Sequence, residues 1–254
     1  MQYNMCHFFC FLFGSLSYEK EMRQPMLRNK RISVLIPAFN EEKSIAQVIK
    51  ELPRDIVDEI VVVDNASTDA THEIALRNGA KVVKEPHRGY GAACLKGIGS
   101  IEDTDIVVIL DGDHSDYPEQ INRLLEPIAS GDADFVMGSR VLGRREDGAL
   151  TPQAYWGNKL AGFLIDRLFG YKFTDMGPFR AIRFKSLKSL GMTDKTFGWN
   201  VEMQIKAIKN GLRIKEVPVD YRKRIGVSKI SGTVSGTIKA GAKIIFTIFR
   251  YAVP

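Results

Sequence analysis

Ile106-Val107-Val108-Ile109-Leu110-Asp111-Gly112-Asp113 reads as a buried strand that ends on two carboxylates one residue apart. A short unbroken apolar run of this kind fits a strand covered on both faces. Two other triplets have the same form, Asp103-Thr104-Asp105 and Asp132-Ala133-Asp134, but each stands before an apolar run. In open α/β sheets ligands bind outside the carboxyl ends of the strands, so position singles out Asp111 and Asp113. Successive extended residues point to opposite sides, and these two share one side across Gly112. Two hard oxygen ligands suit Mg²⁺ or Mn²⁺, with phosphate oxygens completing an octahedral shell. The plainer alternative is a solvated acidic loop capping the helix that starts near Pro118.

Outward from that strand, apolar runs alternate with amphipathic stretches. Strands are expected at 32–36, 59–63, 81–84 and 135–137, with helices at 42–52, 67–78 and 91–98 and another opening at Pro118. Strand-helix alternation of this kind predicts an α/β chain with a Rossmann-like, mostly parallel sheet and helices on both faces. The regularity breaks after Gly138. Residues 139–153 read as a mobile polar loop, followed by a helix over 155–169, a strand over 179–184, a helix over 200–209 and extended chain over 212–221. No internal repeat or low-complexity segment is present.

The chain has 254 residues, 44 % apolar and 26 % charged, enough for one substantial core. Its three cysteines form neither a disulfide framework nor zinc spacing, which fits a reducing, cytosolic setting. Net charge is +6, yet residues 206–254 carry eleven Lys or Arg against Glu216 and Asp220 alone. That basic end implies an anionic partner, phosphate or acidic lipid. Nucleic acid is the poorer partner, because no exposed aromatics interleave with the basic residues. Residues 1–27 read as an ill-defined extension. The apolar run His7 to Leu16 is too short to cross a bilayer and has no basic residue before it, and Met26 is a natural alternative start.

Further residues fall at the same edge as Asp111. Pro37 ends the first strand, and Pro37-Ala38-Phe39-Asn40-Glu41 turns its backbone toward the ligand side. Asp64 follows the second strand, where a carboxylate accepts hydrogen bonds from a base or ribose, while Ser67 to Asp69 supply helix caps. Arg88 precedes Gly89-Tyr90-Gly91, a basic residue ahead of a glycine-rich helix start. No Gly-x-Gly-x-x-Gly follows the first strand, which excludes a dinucleotide-dependent oxidoreductase.

These blocks, in this order, resemble family 2 glycosyltransferases of the GT-A fold. They run Ile36–Glu41, Val62–Asp69, Arg88–Gly91, Asp111–Asp113, Gly138–Arg140 and Thr174–Arg180, and end at Arg222-Lys223-Arg224-Ile225-Gly226-Val227-Ser228-Lys229. The last two look like the dolichyl-phosphate mannose or glucose synthase branch. The resemblance covers about residues 31–231 and implies a GT-A domain over 28–231, followed by a segment at 232–254. It implies inverting transfer of a hexose from a UDP- or GDP-sugar to a polyprenyl phosphate, with Mg²⁺ or Mn²⁺ neutralising the leaving diphosphate. An acceptor phosphate is already ionised at neutral pH, so the site needs cations to hold it more than a strong base; Arg140, Arg224 and Lys229 fit. By the same resemblance Pro37, Phe39, Glu41, Asp64, Arg88 and Asp111 face the nucleotide. Where many relatives carry an amide or other oxygen ligand two residues after the second aspartate, this chain has Ser115, a weaker third ligand.

The tail departs from lipid-directed relatives that carry clear transmembrane helices. No eighteen-residue window near the C-terminus is free of charge. Lys239, Lys243 and Arg250 fall near one stripe of a helix over 232–252, as in an interfacial helix on an anionic inner membrane face. Its glycines leave open a packed subunit contact in a homo-oligomer. Two further functional readings stand beside lipid glycosylation: the same fold acting on a soluble or polysaccharide-precursor acceptor, and a non-catalytic membrane-binding module.

Overall fold

The computed structural model of the chain describes residue 27, residues 29–226 and residues 234–252. Its apolar runs become the strands β1 (Ile32–Ala38), β2 (Glu59–Asp64), β3 (Lys81–Lys84), β4 (Ile106–Ile109) and β5 (Phe135–Ser139), joined later by β6 (Arg180–Arg183) and β7 (Ile214–Pro218). They form one sheet in the order β3-β2-β1-β4-β6-β5-β7. The strand pairs are parallel except that β6 runs antiparallel between β4 and β5. This reversal brings the amino end of β6, and the block Thr174 to Phe179 before it, to the edge that carries Asp111.

Both faces are covered. Alternate residues of β1, β2 and β4 (Val34, Ile36, Ile60, Val62, Ile106, Val108) pack under α1 (Ile45–Glu51), α2 (Thr71–Arg77) and α4 (Ile121–Ala129). The intervening set (Leu35, Val61, Val63, Val107, Ile109) packs under α3 (Tyr90–Ile98), α5 (Pro152–Phe169), α6 (Phe184–Ser189), α7 (Trp199–Lys209) and α8 (Val234–Ala252). Period-2 alternation with both sets buried is what a strand sandwiched between helix layers requires. Local chemistry sets the helix ends: Thr151 accepts from the Ala154 N–H at 3.3 Å with Pro152 behind it, and Gly170 closes α5 in the left-handed conformation (φ 71°).

The structure departs from the sequence expectations in four places. The helices expected at 42 and 67 begin later, at Ile45 and Thr71, because Glu41 and Asp69 draw the preceding residues into hydrogen-bonded turns. Pro118 opens a single 3₁₀ turn before α4. Residues 139–153 do not stand free: Tyr221 N–H donates to the Arg144 carbonyl at 2.9 Å and Glu146 N–H to the Tyr221 carbonyl at 2.9 Å, stitching the loop to the chain after β7. Finally, α8 packs on α5 and α7 with Thr247 and Ile248 buried, and Lys243 turns inward to Asp194 (2.8 Å) rather than joining an outward basic stripe.

Candidate active site

At the carboxyl edge a cavity of about 650 Å³ opens among Pro37, Phe39, Glu41, Arg88, Asp111, Asp113, Arg140 and Arg224, with Asn65, Tyr90, Thr196, Phe197 and Tyr221 completing its walls. Among the described residues three non-glycine residues adopt positive φ, Asn40, Ala66 and His114, each next to a wall residue. Held strain of this kind collects where a backbone is shaped for a ligand. The other two Asp-x-Asp triplets are structural. Asp103 and Asp105 bind Arg31, and Asp134, held by Arg213 and Arg183, drops to about 2.

Asp111 stands half-buried at the cavity floor, with its Oδ1 buried and without a hydrogen-bond partner among the described residues. Burial and the adjacent Asp113 carboxylate raise its carboxyl to about 7, against the pull of Arg224, Tyr90 and Arg140. Asp113 accepts from Ser115 N–H (2.9 Å) and Ser115 Oγ (2.5 Å) on Oδ1, and its Oδ2 meets the Arg224 guanidinium. An orphaned buried carboxylate oxygen beside a second carboxylate fits a divalent cation. Among the described residues no three acidic, His or Cys groups converge, so the protein offers two ligands and the remaining positions fall to phosphate and water. Ser115, expected as a third ligand, is buried and commits its hydroxyl to Asp113. His114 pairs with Glu51 at 2.8 Å. Asp116 is buried nearby, neither oxygen having a hydrogen-bond partner among the described residues, its carboxyl pushed well up by burial, Asp111 and Asp113.

The basic block reaches the acidic turn through its backbone. Ile225 N–H donates to the Asp113 carbonyl (2.9 Å) and Arg222 N–H to the Ser115 carbonyl (3.0 Å). Arg222 itself is consumed by the His114 and Asp116 carbonyls and by Glu51, while Arg224 reaches the cavity. Lys229 lies outside the described residues. Arg140 lines the cavity but is not a free cation: its Nε and Nη2 form a two-point pair with buried Asp175 at 2.7 and 2.8 Å. Burial would depress its guanidinium, and Asp175 outweighs that and holds it well up.

On the opposite wall Arg88 stacks over the Phe39 ring, 4.2 Å from its centroid, a platform of cation and aromatic. Asp64, expected to face the nucleotide, stands back from the cavity lining. Its Oδ1 accepts from Ser67 N–H (2.9 Å) and its Oδ2 lies 3.5 Å from His72. Glu41 is buried at the rim and accepts from Ser44 Oγ.

Sequence reasoning missed Asn65, Thr196, Phe197 and Tyr221. Asn65 sits in the quoted block after β2, and its amide clamps the next loop, donating to the Glu85 and His87 carbonyls (3.1 and 2.7 Å) and accepting from Gly89 N–H (2.8 Å). Asn65→Ala is expected to lower unfolding free energy by about 2 kcal/mol, since the loop loses its clamp with those groups half-buried. It should also weaken nucleotide binding. Thermal unfolding and calorimetric titration check both.

Comparison with known proteins places the family and the fold. The sequence model described as "Glycosyl transferase family 2" matches residues 33–191. An uncharacterized glycosyltransferase of Mycobacterium tuberculosis (strain ATCC 25618 / H37Rv) is 34 % identical over 211 residues, 82 % of this chain and 94 % of that protein. The undecaprenyl-phosphate mannosyltransferase of Micrococcus luteus is 34 % identical over 224 residues, 81 % of this chain and 90 % of the relative. Among solved structures, glucosyl-3-phosphoglycerate synthase from Mycobacterium tuberculosis, in complex with Mn²⁺, uridine diphosphate and phosphoglyceric acid, superposes with a TM-score of 0.75 at 22 % identity, covering 91 % of this chain and 81 % of that one. The family match runs from β1 through the acidic turn and past β6, so this chain belongs to glycosyl transferase family 2 and is a nucleotide-sugar-dependent glycosyltransferase.

Proposed function

We propose that the chain moves a hexose from a nucleotide diphosphate sugar to a polyprenyl phosphate at a membrane surface, with inversion. The observation that carries this reading is Arg224 beside Asp113, on a basic block hydrogen-bonded backbone to backbone with the acidic turn. It sets a cation for an acceptor phosphate next to the place where the donor diphosphate departs. Asp111 and Asp113 would hold Mg²⁺ or Mn²⁺, which supplies electrostatic neutralisation of the leaving diphosphate. Phe39 and Arg88 form the platform for the nucleotide. Arg140, fixed by Asp175, gives the cavity a rigid positive wall, and Arg224 orients the acceptor oxygen for attack. That oxygen is ionised at neutral pH, so none of the buried carboxyls has to accept a proton from it.

The membrane part of the reading rests on α5 and α8. They pack together and leave Trp156, Leu160 and Phe163, and Ile238, Phe246 and Phe249, exposed. Lys159 and Arg167 on α5, and Lys239 and Arg250 on α8, are exposed with them. Large apolar side chains interspersed with cations match the boundary of an anionic bilayer. Among the described residues no helix is long and apolar enough to cross a membrane. Vesicles containing anionic lipid should therefore sediment the protein and release it at high salt, because screening acts over about 8 Å at physiological ionic strength. Phe246→Ser with Phe249→Ser should weaken that binding. Binding to neither neutral nor anionic vesicles would remove the membrane from the reading, and equal binding to both would remove its anionic charge.

The deciding experiment is a donor-hydrolysis and transfer screen across UDP- and GDP-sugars with Mn²⁺, with and without a short polyprenyl phosphate. Product formation only with the lipid phosphate is the expected result. Transfer to a small phosphorylated acceptor instead would favour the second reading, a soluble acceptor, which the GT-A architecture accommodates equally well.

A further inference from the structure

Away from the acidic turn, buried charge gathers where residues 193–198 pass between α3 and α8. Asp194 is 7 % exposed and caps this strap: its Oδ1 accepts from Thr196 N–H (2.7 Å), Thr196 Oγ (3.1 Å) and Gly198 N–H (3.2 Å). Its Oδ2 pairs with Lys243 Nζ of α8 at 2.8 Å. Glu202, fully buried, holds the start of the strap through Thr193 N–H (3.0 Å) and Asp194 N–H (2.7 Å), and also accepts from the Tyr251 hydroxyl of α8 (2.7 Å) and from Lys206.

The other side of the strap forms the cavity wall. Its carbonyls at Lys195 and Thr196 accept from Ala92 and Gly91 N–H (2.9 and 3.3 Å), and Thr196 and Phe197 line the cavity beside Gly89 and Tyr90. The approach is so close that a Cβ on Gly91 would stand 2.0 Å from the Asp194 carbonyl oxygen. The glycines before and inside α3 are therefore needed to admit the strap. No part of this arrangement belongs to the acidic turn or the basic block.

We propose that Lys243 and Asp194 are positioning residues which fix the strap as a wall of the donor cavity, so that α8 sets nucleotide affinity. The physical route is short. Removing the ammonium leaves a nearly buried carboxylate without its counter-charge. The turn that Asp194 caps then loosens, and with it the seating of Thr196 and Phe197 against α3. The inference rests on the cavity being the donor site and is independent of the acceptor.

The test uses the full chain and two readouts. In Lys243→Met, hydrogen exchange at the amides of Gly91, Ala92, Thr196 and Gly198 should accelerate while that of β1 and β4 stays unchanged. Calorimetry with UDP and with GDP in Mn²⁺ should give about a tenfold weaker Kd for the nucleotide that the wild type binds, a usual size for coupling between sites, with kcat at saturating donor within about twofold. Lys243→Arg should restore both, and Lys239→Met, an exposed cation on the same helix, should change neither. Unchanged exchange in Lys243→Met, or accelerated exchange with unaltered nucleotide affinity, overturns the proposal. An equal loss in Lys239→Met also overturns it, by tracing the effect to the overall charge of α8. A wild type that binds neither nucleotide would instead count against the donor-site assignment, and the exchange readout still decides whether Lys243 holds the strap.

Discussion

Asp113→Asn is expected to lower transfer by about a thousandfold, because several kcal/mol of charge stabilisation at the leaving diphosphate disappear and each 1.36 kcal/mol is a factor of ten. The amide is the informative substitution. Its Oδ1 still accepts from Ser115, and the backbone carbonyl still receives Ile225, so the turn keeps its shape while the charge goes. Asp111→Asn should weaken donor binding and rate together, since that side chain lies at the cavity floor. Excess chelator should silence the wild type, with Mg²⁺ or Mn²⁺ restoring it. Steady-state kinetics and Mn²⁺ titration followed by paramagnetic resonance read both effects. Full activity in chelator would remove the metal from the mechanism.

Arg224→Ala should raise the acceptor KM or lower kcat by tenfold to a hundredfold, the loss of one charge-assisted phosphate contact worth roughly 1.5–3 kcal/mol. Nucleotide affinity should hold. The guanidinium rests on Asp113, so its removal also frees a carboxylate oxygen for Mn²⁺, and metal affinity should stay level or rise. A collapse of nucleotide binding in this variant would mean that Arg224 clamps the donor. Arg222→Ala should behave differently: that side chain ties Glu51 to the His114 and Asp116 carbonyls, and its loss should appear first in thermal stability.

Much of this site was legible because the edge of a parallel sheet is a simple geometric idea. Asking which Asp-x-Asp follows a strand separated Asp111 and Asp113 from two triplets that prove to be ion-paired elsewhere. Pro37, Phe39 and Arg88 fell to the same argument. Asp64 did not, because a carboxylate after a strand serves equally well as a local cap, and only the fold tells whether Ser67 or the cavity receives it. The pairing of Arg140 with Asp175 joins residues 35 apart in sequence through the reversal of β6, and no periodicity marks a strand as antiparallel. Thr196 and Phe197 carried no signal at all. They reach the cavity only because two glycines admit their backbone and Lys243 on a distant helix anchors it. For the same reason the sequence marks Lys243 as a surface charge, since the stripe on which a lysine falls does not disclose a buried partner.

The place of β6 in the sheet also has a consequence for how the chain acquires its shape. The order β3-β2-β1-β4 uses residues 32–109, consecutive in sequence, and can assemble as soon as they exist. The remainder cannot follow so simply. β5 reaches the sheet only through β6, which comes about forty residues later, and β7 pairs only with β5. Until β6 inserts, β4 is left as an open edge, with Asp111 and Asp113 just beyond its end. Pairings of long sequence separation close slowly, and β4 with β6 spans about as much chain as β1 with β4. Of the donor side, Phe39, Arg88, Asp111 and Asp113 thus come with the first four strands, whereas Thr196 and Phe197 do not. Arg140, Asp175, Tyr221 and Arg224 depend on β6 taking its place, and destabilising β6 should delay the acquisition of activity more than the appearance of secondary structure.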